Sequence, residues 1–90
     1  MGIALITLKI MPLSPEINLE ELKGQAKEEI SKQEGKVGEI KEEPVAFGLK
    51  AIVISFELDE SKELEAIEES LKNLENVNSV QVIDMRRAFG

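Results

Sequence analysis

The segment Gly48–Leu58 constrains this chain most. Lys50, Ile52, Ile54, Phe56 and Leu58 fall on one face of an extended strand, and Leu49, Ala51, Val53 and Ser55 fall on the other. Both faces are apolar near the middle, which predicts a strand in the centre of a sheet. Residues 3–11 carry the same period, with Ala4, Ile6, Leu8 and Ile10 opposite Leu5, Thr7, Lys9 and Met11. Met11-Pro12-Leu13-Ser14-Pro15 breaks that strand, because proline removes a donor and fixes φ.

The period then changes. Asn18, with Glu21 three residues on, predicts a helix start that resembles a capping box. Leu19, Leu22, Ala26 and Ile30 form its apolar stripe, Gly24 costs it about 1 kcal/mol against Ala, and Gly35 closes the segment. Residues 36–43 are charged and interrupted by Gly38, the pattern of an edge strand protected from stray pairing, and Pro44 ends it. Asp59-Glu60-Ser61 is expected to cap a second helix with Leu64, Ile67, Leu71 and Leu74 on its stripe. Asn76-Val77-Asn78 turns the chain into a last strand, where the inward parity changes between Val82 and Ile83 and predicts a bulge. The order β-α-β-β-α-β predicts an α+β, ferredoxin-like sandwich, a four-stranded antiparallel sheet with two helices on one face, right-handed crossovers and one domain over residues 1–90.

That fold hosts many functions, so residues must decide among them. The chain has no Cys, His, Trp or Tyr, which removes thiolate nucleophiles, Cys-based metal sites and the commonest general base. A net charge of −7 argues against nucleic acid, which needs a basic face. Only three Phe are present, and no pair of them lies on central strands to stack bases. The loop after the first strand, Pro12-Leu13-Ser14-Pro15-Glu16, holds no cation to cradle a phosphate and no glycine for a metabolite-sensing turn. The start lacks a charged n-region and a long apolar stretch, so no signal peptide or membrane span is expected and the protein is expected in the cytoplasm.

Three features invite a functional reading. Arg86 and Arg87 follow the last apolar run of an acidic chain. On a strand they point to opposite faces; one is expected to pair with Asp84 or Glu57, leaving the other free. Solvated strand-end charge is the plain alternative. Pro44-Val45-Ala46-Phe47-Gly48 is an apolar hairpin connection where polar residues are the rule. Phe47 there is either folded under the sheet or an exposed anchor for a partner. Glu42-Glu43, Asp59-Glu60 and Glu68-Glu69 diverge on strand or helix and read as solvated faces or helix-start charge. Met11 and Met85 line a surface or fill the core.

Pro44-Val45-Ala46-Phe47-Gly48-Leu49-Lys50-Ala51-Ile52, followed in order by Val77-Asn78-Ser79-Val80-Gln81-Val82-Ile83-Asp84-Met85-Arg86-Arg87, resembles the translation elongation factor 1-beta family of guanine-nucleotide exchange factors. The length, without an N-terminal extension, is similar to the archaeal form. The resemblance implies exchange on elongation factor 1-alpha, with no bond chemistry and no cofactor of its own; no metal site, no direct nucleic acid or membrane partner, and a monomer are expected. It implies that Arg87, two residues after Met85, enters the partner's magnesium and phosphate site, where eukaryotic relatives carry Lys. Arg differs from Lys in being planar and longer. Val45, Phe47, Gly48, Lys50, Met85, Arg86 and Phe89 are the implied partner contacts. A ferredoxin-like ligand-sensing or oligomerising regulatory domain is the alternative. An independent enzyme is disfavoured without His, Cys or converging carboxylates.

Overall fold

The computed structural model describes residues 2–87. Strand β1 (Ile3–Pro12) leads to helix α1 (Leu19–Lys32), strand β2 (Lys36–Pro44), strand β3 (Lys50–Asp59), helix α2 (Leu64–Lys72) and strand β4 (Val77–Arg87). The sheet order is β2-β3-β1-β4, and every neighbouring pair is antiparallel. The expected β-α-β-β-α-β sandwich is therefore the observed one, with β2 at an edge and β3 inside.

The β1–β3 pair is the spine. Its register runs without interruption from Ile3 opposite Asp59 to Ile10 opposite Ile52. Partners across an antiparallel pair share a face. Ile6, Leu8 and Ile10 thus join Phe56, Ile54 and Ile52 on the helix side, where all six are buried. Leu22, Ala26 and Ile30 of α1 and Ile67 and Leu71 of α2 close that core. These are the two apolar stripes set by helical spacing. Gln33, just past α1, fastens the helices together by donating to Ser70 Oγ at 2.8 Å. No described helix is long and apolar enough to cross a membrane.

The ends of elements differ from expectation in four places. Asn18 does cap α1, accepting from the Glu21 N–H at 3.1 Å, but the reciprocal half of a capping box is absent among the described residues. Helix α2 begins later than Asp59-Glu60-Ser61 suggested: Glu63 precedes its first turn without a side-chain cap, and Asp59 accepts from the Ser61 N–H at 2.8 Å to make a tight local turn. Strand β3 starts at Lys50, since Gly48 belongs to the preceding turn. Val77 is not part of a turn; it is buried and pairs with Pro12, which itself extends β1.

Bulges fall at the predicted place and beyond it. Thr7 pairs with Asp84 and Leu8 with Val82, leaving Ile83 as the extra residue. A second slip in β4 leaves Asn78 extra between Ser79, paired with Met11, and Val77, paired with Pro12, and a third puts Gly38 and Glu39 between Val37 and Ile40, opposite Ser55 of β3. All three lie on edge strands, where bulges blunt pairing with strangers.

Gly35 closes the α1 segment for lack of space, while the left-handed residue is its neighbour Glu34 at φ 67. A Cβ on Gly35 would lie 2.5 Å from Ile30 Cγ2 and 3.3 Å from Phe56 Cδ2. A Cβ on Gly24, on the exposed face of α1, would meet nothing within 4 Å. Gly35→Ala is expected to lose about 1–3 kcal/mol by overpacking, whereas Gly24→Ala gains about 1 kcal/mol of helix propensity. Chemical denaturation of the two variants checks the opposite signs.

Candidate functional site

The implied contact residues do not form one patch. Along β3, Lys50 pairs with Pro44 and Leu58 with Ala4, and Ala4 pairs with Arg87 on its other side. Val45, Phe47, Gly48 and Lys50 therefore occupy one end of the sheet, and Met85, Arg86 and Arg87 the other. Eight residues of strand separate the two levels, roughly 26 Å at strand rise. The molecule is elongated to match, measuring 41 × 21 × 17 Å. Phe89 lies outside the described residues.

At the first end the β2–β3 connection is a tight turn. The Val45 N–H donates to the Leu49 carbonyl at 2.8 Å, and the Leu49 N–H to the Ala46 carbonyl at 3.3 Å. Reversing the chain in so few residues puts Phe47 at φ 62 and Gly48 at φ 76. Glycine tolerates this region, but an L side chain meets a penalty of roughly 1–2 kcal/mol. Phe47 meets that penalty and is also 93% exposed. The sheet does not fold over it. An exposed aromatic ring on a strained backbone serves no packing purpose among the described residues. Val45 is half-buried, and Lys50 is exposed beside Gly48 at the rim of a shallow depression with Pro12, Ser14 and Leu19.

At the second end the register assigns the faces. Arg86 pairs with Leu5 on the open face of the sheet, and Arg87 pairs with Ala4 on the helix side. Each arginine has an acidic partner, so the expectation that one stays free is corrected. Arg86 Nε donates to Asp84 Oδ2 at 3.0 Å, two residues back on the same face. Arg87 donates from Nε to Glu60 Oε2 at 2.6 Å and from Nη2 to Glu60 Oε1 at 3.2 Å. Such a bidentate pair fixes the guanidinium plane. Met85, opposite Ile6, is exposed and lines a groove with Val82, Leu64 and the carboxylates of Glu63, Glu65 and Glu68 at the start of α2. It is neither core filler nor part of the open sheet face.

Glu60 is the residue whose role the sequence hides. Its position suggests helix-start charge, yet it sits before α2 and engages the C-terminal strand. The register carried the signal: Ile3 opposite Asp59 sets Gly2 opposite Glu60, and Ala4 places Arg87 alongside. The Glu60 N–H also donates to the Gly2 carbonyl at 3.0 Å. The other acidic pairs diverge. Glu42 bonds Lys23 on the helix side at 2.7 Å, and Glu43 reaches Lys9 at 3.4 Å. Among the described residues, no three His, Cys, Asp or Glu converge as metal ligands.

The electrostatics follow these contacts. The Arg87 hydrogen bonds hold the Glu60 carboxyl below its ordinary pKa, and Glu60 raises that of Arg87. The Lys23 hydrogen bond lowers Glu42. The backbone N–H and then the hydroxyl of Ser61 lower Asp59.

Residues 5–88 match the family model described as the EF-1 guanine nucleotide exchange domain. An elongation factor 1-beta of Methanothermobacter thermautotrophicus is 42% identical over 89 residues, covering 97% of this chain and 98% of that protein. One of Methanococcus aeolicus is 40% identical over 86 residues, covering 94% and 97%. Among solved structures, ribosomal protein S6 of Thermotoga maritima aligns with a TM-score of 0.66 at 18% identity, covering 97% of this chain and 88% of that one. The ACT domain of a Chlorobium tepidum GTP pyrophosphokinase aligns with a TM-score of 0.64 at 16% identity, covering 88% and 96%. At such identities these two likenesses speak for the ferredoxin-like fold alone.

Two outcomes are expected of the isolated protein. Phe47→Gly relieves the left-handed strain and raises stability by roughly 0.5–1 kcal/mol, measured as a denaturation midpoint; a loss would mean that the ring packs after all. Glu60, Glu42 and Asp59 have lowered pKa values, so each contributes stability that is present above the ordinary carboxylate range and lost as pH falls through its folded value. Thermal midpoints should hold near neutrality and fall below pH of about 4, with a shallower fall in Glu60→Gln.

Proposed function

The chain belongs to the EF-1 guanine nucleotide exchange domain family, and from that premise we propose that it promotes GDP release and GTP reloading on elongation factor 1-alpha. The observation that carries the docking half is Phe47, exposed to 93% on a strained turn. Phe47, with Val45, Gly48 and Lys50, anchors one end of the domain on the GTPase. Arg87, flanked by Met85 and Arg86, acts at the other end. A partner contacted at both ends is spanned along the length of the sheet, so the anchor sets the register of the basic tip.

A GTPase holds GDP through Mg²⁺ and a phosphate-cradling loop. A guanidinium brought to the Mg²⁺ position competes for the same phosphate and carboxylate oxygens. Nucleotide affinity falls, and by reciprocity bound nucleotide weakens the grip of the exchange factor by the same factor. A coupling of about 3 kcal/mol is already more than a hundredfold. No bond is made or broken by this protein, and GTP refills the emptied site.

Release of a fluorescent GDP analogue from elongation factor 1-alpha of the same organism, with this protein substoichiometric, tests the reading. Multiple-turnover acceleration is expected. Arg87→Ala should lower the maximal rate by roughly ten- to a hundredfold. Phe47→Ala should instead raise the half-saturating concentration by about tenfold with the maximal rate kept. An active partner that shows no acceleration sinks the function; an Arg87→Ala protein as fast as the parent removes Arg87 from it.

A further inference from the structure

Arg87 does not hang from the end of β4. Its backbone is paired with Ala4, and its side chain is gripped along one edge by Glu60. Glu60 uses the Nε hydrogen and one Nη2 hydrogen. A guanidinium has five N–H donors in one plane. The Nη1 pair and the second Nη2 hydrogen therefore remain, and no acceptor among the described residues engages Nη1. The arginine side chain is 63% exposed, and the glutamate 33%. The Nε edge is taken by Glu60, and the Nη1 end of the guanidinium is left unengaged among the described residues.

Glu60 is itself held. Its N–H is bonded to Gly2, and the Asp59–Ser61 turn fixes the backbone beside it. Its carboxylate lies directly over Gly2: a Cβ at residue 2 would be 2.6 Å from Glu60 Cδ, and nearer still to Oε1. A side chain at residue 2 would displace the Glu60 carboxylate from the position in which it crosses the end of β1 and reaches Arg87.

We propose that Glu60 is the positioning residue of Arg87, seated over Gly2 so that it holds the guanidinium by its Nε edge and presents the Nη1–Nη2 fork to phosphate or carboxylate oxygens of the partner GTPase. This rests on the reading that Arg87 is the inserted cation. An arginine ordered in advance loses less rotamer freedom when it meets those oxygens. A carboxylate that held the outer fork would block it; one that holds the inner edge orients it.

The test compares Glu60→Gln, Gly2→Ala, Arg87→Ala and the Glu60→Gln/Arg87→Ala double variant in the nucleotide-release assay. Glu60→Gln is expected to lower the maximal rate roughly three- to tenfold. Gly2→Ala, which displaces Glu60 and changes neither charge, should act in the same direction. The double variant should match Arg87→Ala, because Glu60 acts only through Arg87. In the free protein, the Arg87 Nε–H resonance should lose its protection from solvent exchange in Glu60→Gln, a readout independent of the partner. Exchange by Glu60→Gln at or above the parent rate, with Arg87→Ala slow, overturns the positioning role alone. A penalty that adds in full to that of Arg87→Ala overturns it too, since Glu60 would then touch the partner itself. An Arg87→Ala protein that exchanges normally overturns the underlying reading of Arg87 and the proposal with it.

Discussion

The unbroken register between β1 and β3 is the constraint on which the rest depends. Ile6, Leu8 and Ile10 meet Phe56, Ile54 and Ile52 on one face, and the helices can cover only that face. A slip of one residue would set the three of one strand opposite the outer face of the other, so that one set would turn to the open side. The same register fixes both ends of the molecule. It brings Gly2 across from Glu60 at one end and sets the start of β3, with the turn before it, at the other. The placement of the two ends is thus a by-product of the pairing that builds the core.

Much of this was legible because the core obeys simple periods. Alternation in Gly48–Leu58 and residues 3–11 marked the inner strands, charge marked the β2 edge, and a break in parity located the bulge at Ile83. The stripes of α1 and α2 were visible at helical spacing. Element ends were less legible, since they depend on single local contacts: Asp59 closes a turn on Ser61 where it looked like a cap, and Val77 is drawn into the strand by Pro12. The candidate residues could be named from their types, but their arrangement could not. Nothing local in the sequence says that Phe47 and Arg87 belong to opposite ends, or that Arg87 meets Glu60. Both facts come from pairings between residues far apart in the chain.

The two ends solve different problems. The Phe47 turn carries an apolar ring into solvent on a strained backbone, closed by the hydrogen bond between Val45 and Leu49. The tip is polar, and its order comes from strand pairing and a bidentate ion pair. Exposed ion pairs contribute little to stability in general. Here the geometry around the pair matters more than its energy, because a chain of −7 net charge surrounds its terminal cations with potential partners. Asp84 and Glu60 divide the two arginines between opposite faces of the sheet.

The extra residue at Ile83 reaches further than local strand twist. Continued alternation from Val82 through the same residues would turn Arg86 to the helix side and Arg87 to the open face. A strand of equal length that ran straight would therefore exchange the roles of two chemically identical side chains without altering the terminal motif. Loss of Ile83 together with the bulge would leave both where they are. Columns in an alignment count residues, whereas the sheet counts pleats. Among relatives, the basic residue equivalent to Arg87 is to be found by tracing the pleat outward from the bulge, even where that disagrees with its distance from the chain end.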